Sequence, residues 1–540
     1  MVPRVASDTE ATNQAAQGVL DGSLWYNLSS GTIDLTNTNN SFSENSMISY
    51  ALRANYTFDE RYMLTATVRW DGSSKFEPDQ RWGCFPSVAV AWRASQEKFL
   101  QNVKWLSNLK VRLSYGVTGN NTGVGNYATR TTVAGPVYYP FGSTYVNAFY
   151  PSSIVDRFLT WEESKEINFG IDFGFLKNRI FGSVDLYQKT SDDLLYSVEL
   201  PLEAGTDSDG NPMKLNTNVG SVQNRGIEFA VTAIPVITKD WRWDISLNYA
   251  RNINKVKEIN GSGANLPNDN LFIGCSINNV YGYHWAGIVT DRDMIVPNTE
   301  IAVAKGLTPG STMKEYDYYN ICYGLQEGNP IIEDVNGDGT IDDKDKKVYR
   351  SDPSWTGSLT TSLSYKNWDL SASLYTKQNY KVYSDFYAQY LDYKDRGWMH
   401  LNVDYYIPAG TLIDCDGINP DGTYINPVYQ QTTHYGAYPF PNDGNTAGLN
   451  GTHAFNRDGS QCQAITDASF VKVKNITLGY TFPKKWINKI GISHLRLYCT
   501  VTNPFVWTDY KGFDPEWAGG GAENDGPSTV TWEFGASLKF

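Results

Sequence analysis

The 540-residue chain has no run of eighteen consecutive apolar residues, so no helix of it is long and apolar enough to cross a hydrocarbon core about 30 Å thick. Basic charge is also scarce. Against 58 Asp and Glu stand only 45 Lys and Arg, a formal net charge of −13, and nucleic acid is set aside as a partner because phosphate backbones are held by excess cationic side chains. Five histidines, at 284, 400, 434, 453 and 494, lack an HExxH or other metal spacing. Six cysteines, at 84, 275, 322, 415, 462 and 499, include no CxxC pair, which removes the usual zinc and thioredoxin patterns and leaves Cys275 with Cys322 as a candidate loop disulfide. The first twenty residues lack the basic start, apolar stretch and cleavage site of a secretory signal. Nothing points to an enzyme. What abounds is packing material, with 16 Trp, 36 Tyr, 23 Phe and 47 Gly, too much for a disordered chain.

The period of the pattern is two. From Thr529 to Phe540 the residues Val530, Trp532, Phe534, Ala536, Leu538 and Phe540 alternate with Thr531, Glu533, Gly535, Ser537 and Lys539, which puts the two sets on opposite faces of one strand. Ile48, Tyr50, Leu52, Ala54, Tyr56 and Phe58 form another such face. After Asp59-Glu60-Arg61 the pattern resumes at Tyr62, Leu64, Ala66, Val68 and Trp70, as in a hairpin with a tight turn. Ten similar runs, near 85–94, 108–118, 163–175, 179–190, 224–235, 240–252, 355–365, 368–378, 468–482 and 493–503, bring the count to thirteen.

Connections between these runs alternate in length. Asp59–Arg61, Leu176–Asn178 and Lys366-Asn367 are tight, whereas 119–162, 253–354 and 379–467 are long, the asymmetry of an outer-membrane barrel. Charge placement agrees: Arg53, Arg69, Arg93, Arg112, Asp172, Asp185, Glu228, Asp244, Asp369 and Glu533 share no face with their strand's apolar set. A basic side chain facing lipid at mid-membrane would cost roughly 2–4 kcal/mol. Lys472 and Lys474 break the rule by sharing parity with Ile476, Leu478 and Tyr480, so either a bulge shifts that register or the strand end lies beyond the hydrocarbon. Aromatic residues gather beside the tight turns, where membrane interfaces favour them.

Several separated stretches resemble the SusC/RagA-type TonB-dependent transporters of Bacteroidota outer membranes: YMLTATVRWDGSSKF at 62–76, RWGCFPS at 81–87, NVGSVQNRGIE at 218–228, DVNGDGTID at 334–342, DASFVKVKNITLGYTFP at 467–483, YKGFDPE at 510–516 and the terminal Phe540. The resemblance implies an all-β, antiparallel transmembrane β-barrel of about 22 strands around a plug. It also implies import of glycans or peptides, no covalent chemistry, TonB contacted through the plug, and a SusD-like surface lipoprotein partner. About thirteen strands and no plug are legible here, so the chain is expected to be the C-terminal part of such a barrel. In that expectation 1–45 is an extracellular loop segment, 46–540 is barrel, and the long connections are extracellular.

Two groups of candidate site residues stand out. Asp334, Asn336, Asp338, Thr340, Asp342 and Asp345 follow the oxygen spacing of a calcium loop, Thr340 through its carbonyl, with Gly339 at the bend. Asn-Gly and Asp-Gly alone would also build an acidic turn there. Tyr138, Tyr139, Tyr145 and Tyr150 in one loop, and Trp398 and Tyr405 in another, are candidates for substrate contact, since ring faces pack against sugar C–H surfaces. Their bland reading is packing within the loop or on a partner. The favoured function is outer-membrane, TonB-dependent import of a bulky nutrient, an oligosaccharide in preference to a peptide. The alternatives are a secreted calcium-dependent glycan-binding β protein and a passive porin or structural outer-membrane protein.

Overall fold

A computed structural model describes residues 41–131, 133–142, 144–151, 153–206, 210–384, 404–440, 464–488, 491–510, 512–518 and 528–540, with the short strands Arg4–Thr9, Ala16–Gln17 and Thr32–Ile33. Two compact units divide the chain: residues 1–178, 183–226 and 254–265 form the first, and 179–182, 227–253 and 266–540 the second. Three long strands, Ile180–Glu199, Lys214–Ile237 and Trp241–Glu258, contribute residues to both.

In the first unit the strands pair antiparallel in chain order: β1 (Arg4–Thr9), β2 (Ser41–Phe58), β3 (Tyr62–Ser73), β4 (Trp82–Trp92), β5 (Leu106–Asn120) and β6 (Glu162–Phe175). Register aligns like with like. Tyr56 lies opposite Leu64, Leu64 opposite Val90, Val90 opposite Leu113 and Leu113 opposite Phe169, so one row of apolar side chains runs across five strands. Those side chains are exposed. A contiguous apolar surface of this kind needs an apolar solvent. The β2–β3 turn is closed by Asp59 and Glu60, both at φ 51°, the left-handed pair whose twist matches flanking strands.

The second unit repeats the arrangement with Trp241–Glu258 beside β7 (Trp355–Tyr365), β8 (Trp368–Gln378), β9 (Phe470–Thr481), β10 (His494–Thr508) and β11 (Thr531–Lys539). Its outward row reads Trp243, Leu363, Leu370, Leu478, Cys499 and Phe534, each opposite the next.

All thirteen expected strands are present. The segment 1–45 is not wholly loop, however, because β1 pairs with Ser41–Ser46. Both partners, RVASDT and SFSENS, are too polar to alternate visibly. For the same reason Lys214–Ile237 begins ten residues before its apolar pattern does.

The long connections carry structure of their own. Within 119–162, Val133–Phe141 pairs with Thr144–Pro151, and Val124, Leu159 and Trp161 of that segment form a buried cluster with Phe76 and with Phe85 of β4. The 253–354 segment holds the helices Glu300–Ala304 and Glu315–Tyr323. It also supplies most of a core built on Tyr283, Val289, Leu325, Ile331, Ile332 and Ile341. Cys275 and Cys322 are free thiols rather than a disulfide. No helix among the described residues is long and apolar enough to cross a membrane, which says nothing of strands.

Candidate functional site

The face opposite the apolar rows is polar and internally paired. Arg112 on β5 reaches Asp172 on β6 (Nη2–Oδ1 2.9 Å) and Asp185 on the next strand (3.0 Å). Gly170, directly opposite Arg112, makes this reach feasible: a Cβ there would sit 2.7 Å from the guanidinium and 2.6 Å from Asp185 Oδ1. The second unit has the same device. Arg496 donates from Nε to Asp369 Oδ1 at 3.0 Å, and a Cβ on Gly479 would meet both side chains at 2.5–2.7 Å. Charges held between neighbouring strands in this way keep the face hydrated without a large unpaired charge.

Lys472 and Lys474 resolve as a bulge. Register shifts between Val473 and Asn475 on β9 against both neighbours, and Asn503 on β10 takes φ 54° at the same level. An extra residue reverses side-chain parity beyond it. Val473 therefore lies opposite Leu374 and Phe505 on the outward side, while Lys472 lies opposite Tyr375 and Val506. Lys472 is 1% exposed. Its Nζ donates to Asp514 Oδ2 (2.6 Å), Glu516 Oε2 (3.0 Å) and Ser528 Oγ (3.3 Å), and Lys474 Nζ meets both Glu516 oxygens at 2.7 Å. Burial opposes ionisation of Glu516, but the two lysines outweigh it and hold its carboxyl below the ordinary range. This network ties the YKGFDPE stretch to the strand wall. Nothing along the chain marks Asp514 or Glu516 as partners; the broken parity at Lys472 is the available signal.

The acidic loop is closed on its own amides. Asp334 accepts from Gly337 N (2.7 Å) and Gly339 N (2.8 Å), and Asp338 accepts from Thr340 N (2.8 Å) and from Asn336 Nδ2 (2.9 Å). Asp345, 0% exposed, accepts from Val335 N and Asp342 N, both at 2.8 Å. Asp342 in turn caps the short 3-10 turn Asp343–Asp345 through Lys344 N. Among the described residues no three His, Cys, Asp or Glu side chains are gathered as a metal site.

Of the candidate aromatics, Tyr138, Tyr139, Tyr145 and Tyr150 lie on the two strands of the 133–151 hairpin. Trp398 lies outside the described residues. Tyr405 is half-buried with its ring edge-on to Tyr438 at 6.5 Å, and burial pushes its phenol up to about 12. Its neighbour Tyr406 is fully buried and donates to Glu327 Oε1 at 2.7 Å. Burial and then that carboxylate raise the Tyr406 phenol well above its ordinary value. Asp404 pairs with His434 Nε2 at 2.6 Å. These groups hold the loop together around a bridge between Tyr405 and Tyr438.

Residues 6–503 match the family model described as TonB dependent receptor-like, beta-barrel. The chain is 34% identical over 510 residues to the TonB-dependent receptor SusC of Bacteroides thetaiotaomicron, covering 92% of this chain and 44% of that protein. It is 30% identical over 509 residues to the TonB-dependent receptor P39 of Formosa agariphila, covering 91% and 44%. The chain thus spans less than half the length of these relatives. Among solved structures, the RagAB peptide transporter superposes with a TM-score of 0.67 at 23% identity, covering 95% of this chain and 50% of that one, a likeness of fold.

Proposed function

The chain belongs to the TonB-dependent receptor-like β-barrel family, whose members are outer-membrane receptors and not enzymes, and from that premise we propose that it serves TonB-dependent import of a bulky nutrient. An oligosaccharide is the preferred cargo and a peptide the second. The observation that carries this reading is the opposition of two faces: continuous apolar rows on one side, and charge pairs such as Arg112 with Asp172 and Asp185 on the other. A polar cargo needs a wet passage, and the wall around it needs a lipid-compatible exterior.

In this reading the structured connections form a docking surface for a SusD-like lipoprotein, and TonB acts through a plug domain. The test is uptake of labelled oligosaccharides and peptides by cells carrying the complete gene. Accumulation that disappears when TonB is deleted supports the proposal; accumulation unaffected by TonB favours the passive porin. Loss of oligosaccharide uptake with peptide uptake retained would exchange the preferred cargo for the second.

Calcium in the 334–345 loop is a separate proposal. It rests on the oxygen spacing of Asp334, Asn336, Asp338, Thr340, Asp342 and Asp345, and the amide bonds already made by the first, third and last weigh against it. Calorimetric titration with calcium chloride decides it: one-site binding supports the ion, and silence ends it without touching the import proposal.

A further inference from the structure

We infer that a cavity in the second unit, between the 266–354 segment, the end of β8 with residues 380–383 after it, and the 512–518 segment, is a binding site for a neutral oligosaccharide; the inference rests on the import reading and names its cargo class. The cavity measures about 650 Å³, within the roughly 300–1,000 Å³ of small-molecule sites. Its polar lining comes from Asn278, Asn279, Asp352, Lys377 and Glu516, and its apolar lining from Val280, Val382 and the rings of Tyr380 and Tyr383.

This lining is held in place before any ligand arrives. Asn279 Nδ2 donates to Asn270 O and Ser276 O, both at 2.8 Å. Asp352 accepts from Asn278 Nδ2 at 2.9 Å and from Ser276 Oγ. Tyr380 donates to Pro515 O at 3.1 Å, and Glu516 is fixed by Lys472 and Lys474. Residues so fixed lose little freedom on binding.

Charge selects the ligand class. Lys377 lies on the polar parity of β8 with Asp369 and Tyr375 and makes no ion pair among the described residues, while the Asp352 carboxylate is hydrogen-bonded but unpaired with any cation among them. An anionic ligand would meet Asp352, and a cationic one Lys377. A neutral polyhydroxylated ligand can donate to the carboxylate and accept from the ammonium, and its C–H faces suit the tyrosine rings and valines.

The test is calorimetric titration of the complete protein in detergent with maltohexaose, xylohexaose and mannohexaose, with the anion trigalacturonate and the zwitterion trialanine as charged controls. Lys377→Gln removes the cation, and Asn278→Trp, at an exposed lining position, adds bulk to the cavity wall. We expect the wild type to bind at least one neutral hexaose, and each variant to weaken it about tenfold or more with an unchanged melting transition. Three results overturn the site: no neutral hexaose bound at millimolar concentration, tighter binding of either charged control, or affinity unmoved by both variants. Parallel uptake assays keep the failures apart, because TonB-dependent uptake with no binding in this cavity removes the cavity alone, whereas absence of TonB-dependent uptake removes the import reading.

Discussion

Leu52 on β2 and Ile295 in the 266–354 segment expose the same fraction of surface, 69%, yet their surroundings differ in kind. Leu52 sits in a row of apolar neighbours, opposite Val68, on a strand face where almost every side chain is exposed. Ile295 sits beside a small core of its own, with Val296 buried against Ile301, Ala302 and Tyr318. In the wall, order comes from ladder hydrogen bonds and the apolar surface turns outward. In the connections, order comes from burying apolar surface away from water. Equal exposure therefore means two different solvents.

Breaking the joint between the two regions is expected to have the largest effect. Lys472→Met strands Asp514, a buried carboxylate left with no cation and only the neutral donors Ser528 Oγ and Glu516 N among the described residues, and should cost roughly 3–5 kcal/mol, read as a fall in urea midpoint. Next comes the direct contrast. Leu52→Arg should cost roughly 2–4 kcal/mol in folding titrations into lipid vesicles, while Ile295→Arg should stay within about 0.5 kcal/mol; equal penalties would erase the distinction between the two surfaces.

A smaller, local effect is expected for Asp345→Ala, which leaves two or three loop amides without an acceptor at about 1–3 kcal/mol. Hydrogen exchange should quicken at Val335 and Asp342 and stay slow in β2 to β6. The smallest effect concerns pH. Because the Glu516 carboxyl lies below its ordinary value of 4.5 in the folded chain, its contribution is complete above that value and is lost as pH falls through the depressed one. Thermal melts should show a downward shift on acidification below about 4.5 that is smaller in Glu516→Gln than in the wild type.

Period two was legible because wall residues face only two environments, so the alternation from Val530 to Phe540 survives as a pattern in one dimension. The same rule made the anomaly at Lys472 visible but could not choose its cause. A bulge is set by what the neighbouring strands offer, here Leu374, Phe505 and the left-handed Asn503. The loop aromatics were readable as a composition and no more. Whether Tyr405 meets solvent or Tyr438 depends on contacts more than thirty residues apart.

By itself the sequence determined thirteen strands, their outward and inward faces, and the family through its motifs, because each is a property of neighbouring residues along the chain. Tertiary structure alone decided that Lys472 turns inward onto Asp514 and Glu516, that Cys275 and Cys322 stay apart, that the acidic loop bonds to its own amides, and that the long connections hold cores. The physical reason is range: alternation is imposed residue by residue by the pleat, whereas a buried charge or a closed loop is stable only when groups distant in sequence arrive together to replace the water each has lost.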